Sequence, residues 1–143
     1  LEIQIPFIQY TFHNSFTIVP VLMRDQDIQT AILLGNLIAK FIAKKNAIII
    51  ASSCLNHYET NLITYEKDHH IIKSIENLNI ESFYQSLTNL NTSICGYGPI
   101  ASVMRAVQIL GSKKGVLLKY ATSGDVMSDT RNTVVGYASM VFI

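Results

Sequence analysis

Charge of one sign, cysteine and long apolar runs are all scarce in this chain, and each scarcity removes a class of function. The formal net charge is +1 over 143 residues, and the lysine pairs Lys44-Lys45 and Lys113-Lys114 are isolated. A protein that tracks a phosphate backbone carries a basic stripe or face, so no nucleic-acid partner is expected. No apolar stretch approaches the roughly 20 residues that span a bilayer, and the opening residues show no secretory signal pattern. A membrane partner is therefore not expected either. The two cysteines are too few for a disulfide framework. Reduced thiols in a cytoplasmic protein are the better reading. Charged residues make up 15% of the chain against 49% hydrophobic, a balance that excludes disorder.

What remains is material for one core. The length suits a single domain over residues 1–143, with no linker, repeat or low-complexity tract. Residues 2–12 read as a short helix, with Pro6 near its first turn. Phe16 to Met23 is rich in β-formers and reads as a strand, with Pro20 at a bulge or edge. Asp25 or Asp27 caps the next helix, whose apolar face is Ile28, Ala31, Ile32, Leu34, Gly35, Ile38, Phe41 and Ile42. Residues 46–52, centred on Ile48-Ile49-Ile50, read as a buried strand. Helices follow at about 66–78 and 81–89, the first with Ile71, Ile72, Ile75 and Leu78 facing inward. Pro99 opens a further helix that runs to Leu110 and stops at Gly111. Strands at 115–121 and 133–143 close the chain. The expected class is α/β, a mixed β-sheet with flanking helices.

Two segments carry candidate chemistry. Cys54 and His57 stand three positions apart where the 46–52 strand should open into a loop, and sites in α/β folds gather at strand ends. Their C-x-x-H spacing lets sulfur and nitrogen converge on one metal, although a structural metal site normally takes four protein ligands. The bland alternative is a buried thiol beside a histidine bonded to backbone. Cys95 opens the run Cys95-Gly96-Tyr97-Gly98-Pro99-Ile100 at a helix N-terminus, where orphan N–H groups favour a thiolate. Gly96 lets backbone approach a ligand, or simply makes the turn. Asp125, in Ser123-Gly124-Asp125, binds a ligand group or forms a turn. Cys95 as nucleophile, His57 as base and Asp125 as orienter is a further arrangement, but no cysteine-hydrolase signature surrounds either thiol. His69 and His70 point about 100° apart on a helix, with a solvated face as the default. His13 reads as a turn residue.

Several of these stretches, in this order, resemble the C-terminal half of the Memo family, known in bacteria and archaea as AmmeMemoRadiSam system protein B. They are Leu1-Glu2-Ile3-Gln4-Ile5-Pro6-Phe7, Ile18-Val19-Pro20-Val21-Leu22-Met23 and Ser52-Ser53-x-x-x-His57-Tyr58-Glu59. Beyond them come Cys95-Gly96-Tyr97-Gly98-Pro99-Ile100, Tyr120-Ala121-x-Ser123-Gly124-Asp125 and Val134-Val135-Gly136-Tyr137-Ala138-Ser139. The resemblance implies a fold like that of the class III non-haem iron extradiol dioxygenases. It also implies a pocket of two histidines from the N-terminal half, an aspartate and a histidine from a Ser-Ser-Asp-x-x-His segment, and a cysteine.

His57 matches that histidine and Cys95 that cysteine, while Cys54 stands at the aspartate position. A soft thiolate there tilts metal preference toward Zn(II), Fe(II) or Cu(I). The chain opens at Leu1 rather than Met and, by the resemblance, lacks the N-terminal half with both of its histidines. Two functions follow as expectations: an Fe(II)-dependent, dioxygenase-like redox enzyme with a radical-SAM protein as partner, or a non-catalytic module that holds a peptide or protein in the same pocket.

Overall fold

In the computed structural model, which describes residues 1–13, 16–128 and 133–143, helices predominate around a small sheet. A 3₁₀ turn, Glu2–Gln4, leads into α1 (Ile5–Phe12), with Pro6 in the first turn where its missing N–H costs nothing. His13 ends α1 in a left-handed conformation. Asp27 caps α2 (Ile28–Ile42), its carboxylate accepting from the Thr30 amide at 2.9 Å. Thr60 caps α3 (Asn61–Glu76) and Asn79 caps α4 (Ile80–Asn89). The last long helix, α5 (Tyr97–Leu110), is terminated by Gly111 at φ 106°. It starts two residues before Pro99, which falls inside the first turn rather than at its first position.

The sheet has the order β1-β3-β2, built from β1 (His57–Glu59), β2 (Gly115–Thr122) and β3 (Val134–Phe142). A five-residue helix, α6 (Ser123–Met127), follows β2. Both strand pairings are antiparallel, so the class is α/β as expected, but the mixed sheet is not found among the described residues. Two expected strands are also corrected. Residues 16–23 and 46–52 run without regular secondary structure. Val19 is 89% exposed and Ile48 70%, so the isoleucine run is not buried. β-Branched composition favours extended backbone, but a strand also needs a neighbour to accept its N–H groups, and neither segment has one among the described residues.

Helix α3 lies across the sheet, and Ile71, Ile72, Ile75 and Leu78 are all buried, as their spacing predicts. They meet Phe83 of α4, Ala101 and Met104 of α5, and the inner faces of β2 and β3 through Leu117, Tyr120, Ala138 and Met140. Helix α2 joins through a row of small residues, Ala31, Gly35 and Ala39, at i, i+4 and i+8. A side chain at Gly35 would meet the Ser102 carbonyl of α5 at 2.6 Å. Close approach of the two helices therefore depends on glycine there. The outward side of α2 is less apolar in function than in composition: Phe41, expected on the buried face, is exposed.

Candidate metal centre

The site is made by two irregular segments laid side by side, residues 51–56 and 92–96, with His57 at the start of β1 directly after the first. Each is fixed from below. Leu55 donates its N–H to the Gly136 carbonyl and Gly136 returns one to the Asn56 carbonyl, both at 2.9 Å, so the first segment lies along β3. The Asn56 amide N–H is taken by Asp68 Oδ1 at 2.9 Å, and Asp68 Oδ2 accepts from the Tyr120 hydroxyl at 2.7 Å. Asp68 has no solvent exposure. Burial pushes its carboxyl up from the ordinary value, against the downward pull of the Tyr120 and Asn56 hydrogen bonds. A side chain at Gly136 would sit 1.7 Å from Asp68 Oδ2, so this buried carboxyl fits only because β3 carries glycine opposite it.

Asn56 is the brace between the two segments. Its side-chain oxygen accepts from Ser93 N–H at 3.1 Å and from the Ser93 hydroxyl at 3.2 Å, while its amide nitrogen donates to Glu59. Lys67 completes the edge of this network with a 2.7 Å ion pair to Glu59. Ser93 in turn holds His57: its hydroxyl lies 2.8 Å from the His57 amide, and its carbonyl lies 2.7 Å from Nδ1. A carbonyl only accepts, so Nδ1 carries the proton, leaving the lone pair on Nε2. That is the arrangement by which proteins prepare an imidazole as a metal ligand or base.

The next residue, Tyr58, takes φ 65° where β1 and β3 slip register between His57 and Glu59. This left-handed residue coincides with the irregularity in the β1–β3 pairing, directly after the site histidine.

The sulfur atoms of Cys54 and Cys95 and a ring nitrogen of His57 all lie within 4.8 Å of one another. Cys95 is exposed and Cys54 is half-buried. The two thiols are electrostatically unlike. Partial burial raises Cys95, but the Cys54 N–H at 3.3 Å and the Ser53 hydroxyl at 3.6 Å outweigh it, and the thiol is lowered overall. Burial raises Cys54, and the adjacent Cys95 sulfur adds to the effect. Cys95 is thus the more acidic of the two thiols.

The remaining expected site residues are placed as follows. Gly96 spends its amide on Ser53 Oγ at 2.9 Å, so this N–H braces the site from within. Asp125 is not in the cysteine–histidine group. With Thr122 it forms the capping box of α6, and it accepts from the Tyr65 hydroxyl at 2.8 Å. Hydrogen bonds from the Thr122 amide and from Tyr65 hold its carboxyl below the usual range. His69 and His70 are both exposed, and His69 stacks on Tyr65. Sequence reasoning missed Gln26, whose side chain clamps the Cys95 turn by donating to the Cys95 carbonyl at 3.1 Å and accepting from Gly98 N–H at 2.8 Å. It also missed Ser53, Asn56, Asp68 and Ser93. None of these carries a sequence signature that identifies its role in advance.

A fold of this class with sulfur, nitrogen and sulfur donors converging from two braced segments defines a protein with a group that could hold a metal ion. Residues 1–141 match the family model described as Memo-like protein. The chain is 46% identical over 143 residues to a MEMO1 family protein of Methanosarcina mazei, covering 99% of this chain and 53% of that one. It is 44% identical over 143 residues to a MEMO1 family protein of Nitrosopumilus maritimus, covering 100% and 52%. It is 42% identical over 146 residues to MEMO1 family protein MJ0403 of Methanocaldococcus jannaschii, covering 99% and 50%. The chain belongs to the Memo family and spans about half the length of the curated relatives it matches. Among the described residues no helix is long and apolar enough to cross a membrane.

Proposed function

We propose that this chain supplies the Cys54–His57–Cys95 face of a transition-metal site in a Memo-type redox protein. The observation that carries the reading is the convergence of two sulfurs and an imidazole nitrogen within 4.8 Å. The donor set fits Zn(II), Fe(II) or Cu(I) better than Mg(II) or Ca(II), which take oxygen. Such an ion, when bound, supplies Lewis acidity and, if iron or copper, one-electron chemistry. The residues of this chain prepare the site. The Ser93 carbonyl keeps the proton on His57 Nδ1, the Cys54 amide donates to the Cys95 sulfur, and Asn56 keeps the two segments in register.

Three donors leave coordination positions for ligands from elsewhere in a longer protein, for a substrate, or for O₂. The family resemblance favours a dioxygenase-like oxidoreductase in the cytoplasm, with a radical-SAM protein or a peptide as partner.

Anaerobic titration of the full-length protein with Fe(II) and Zn(II), beside His57→Ala, tests the metal reading. Stoichiometric binding that falls away in the variant is expected, and equal retention of metal by both proteins contradicts it. Substrate-dependent O₂ uptake by the iron-loaded protein then separates an oxygenase from a binding module.

A further inference from the structure

We propose that Cys54 and Cys95 are a peroxide-oxidisable dithiol whose disulfide excludes the metal ion. The two sulfurs lie within 4.8 Å of each other. Both sit outside helix and strand, in residues 51–56 and 92–96, and an S–S bond of about 2.05 Å requires the two sulfurs to draw together. The two thiols are also unequal in access. Cys95 is exposed, with the Cys54 N–H donating to its sulfur, whereas Cys54 is half-buried. One thiol therefore meets an oxidant first and the other is positioned to resolve the product.

The chemistry balances with a hydroperoxide as oxidant. Cys95 sulfur attacks the terminal peroxide oxygen. An S–O bond forms, the O–O bond breaks, and the departing alkoxide or hydroxide takes the Cys95 proton to leave as alcohol or water. Cys54 sulfur then attacks the Cys95 sulfenic acid. The S–S bond forms, the S–O bond breaks, and hydroxide leaves with the Cys54 proton as water. The two thiols lose two electrons and the peroxide gains them. The product has lost two of the three donor atoms of the group, so oxidation and metal binding compete for the same sulfurs. The exclusion rests on the metal reading above; the dithiol stands on the two sulfurs alone.

The test treats reduced, metal-free full-length protein with hydrogen peroxide and follows intact mass and free-thiol count. Wild type is expected to lose both thiols and two hydrogen masses without forming a dimer, and to recover them with dithiothreitol. Cys54→Ser is expected to stop at a Cys95 sulfenic acid that dimedone captures. The wild-type mass change needs no variant to be read. Over-oxidation of Cys95 at the same rate in wild type and Cys54→Ser, or a disulfide between molecules, overturns the dithiol.

Zn(II) titration of both redox forms addresses the exclusion. Affinity should fall on oxidation by more than the roughly 100-fold that changes around a ligand cost. Equal affinity in the two forms overturns the exclusion. Reduced protein that binds no Zn(II) fails the metal reading, while the mass and thiol counts still decide the dithiol.

Discussion

Residues 16–22 and β3 are both rich in β-branched and aromatic side chains, yet they stand in opposite relations to the rest of the molecule. Val19 and Leu22 are each 89% exposed, whereas Val134 is 2% exposed and β3 pairs along its length with β2 and at one end with β1. Composition is nearly the same, so the difference lies in the neighbours. A strand gains from cross-strand pairs and a covered face, and β-propensity on its own contributes about 1 kcal/mol or less across its whole scale. The contrast extends along the chain. Among the described residues up to 50 the buried positions are Ala31, Gly35 and Ala39, all small, while most of the core and the whole metal-capable group belong to the remainder. The part before residue 50 reaches the braced region through polar contacts such as the Gln26 clamp on the Cys95 turn and through the small residues of α2, not through its exposed apolar side chains.

This contrast can be broken at its strong end first. Phe83 is wholly buried where α3, α4 and α5 meet, so Phe83→Ala should cost about 4 kcal/mol in urea denaturation. Gly136→Val should cost about 3 kcal/mol in the same measurement, because it drives a side chain into the buried Asp68 carboxyl. It should also disturb the site, since Leu55 and Asn56 lean on Gly136. Asn56→Ala removes the brace between the two site segments and should cost about 2 kcal/mol. Weakened Zn(II) binding should accompany that loss of stability.

A smaller effect concerns pH. Burial lifts the Asp68 carboxyl above its ordinary 3.8 in the folded protein, so the folded state holds this proton more tightly than the unfolded chain. The stability this group contributes is complete below 3.8 and is lost as pH rises through the raised folded value. Asp68→Asn should therefore flatten the stability–pH curve in that window. A wild-type curve that climbs with pH relative to the variant contradicts the assignment. Smallest of all, Val19→Ser and Leu22→Ser should change stability by less than about 0.5 kcal/mol, while reducing self-association in sedimentation measurements.

Elements with a periodic apolar signal were legible in the sequence. The inward row Ile71, Ile72, Ile75 and Leu78, the stop at Gly111 and the paired final strands all appear where their patterns place them. Helix α3 starts at Asn61 rather than near residue 66 because its first turns bury Thr64 and Asp68, polar residues that leave no apolar period to read. The same blindness hid Asn56 and Ser93. A buried polar brace is recognised by its partners, which lie 37 positions apart in this chain. The cysteine–histidine group was legible from the family resemblance, since the Cys54-x-x-His57 spacing alone favoured a buried thiol beside a backbone-bonded histidine, but what orients the group was not. Residues 16–23 and 46–52 were misread for a further reason: pattern reports what a segment favours, and pairing depends on what stands beside it.

The most direct test of the metal centre is X-ray absorption at the zinc edge of the reduced, Zn(II)-loaded full-length protein. Two sulfur scatterers and at least one imidazole, with one sulfur lost in Cys95→Ser and the imidazole lost in His57→Ala, is the predicted result. A zinc environment of oxygen and nitrogen alone, unchanged in both variants, would contradict it.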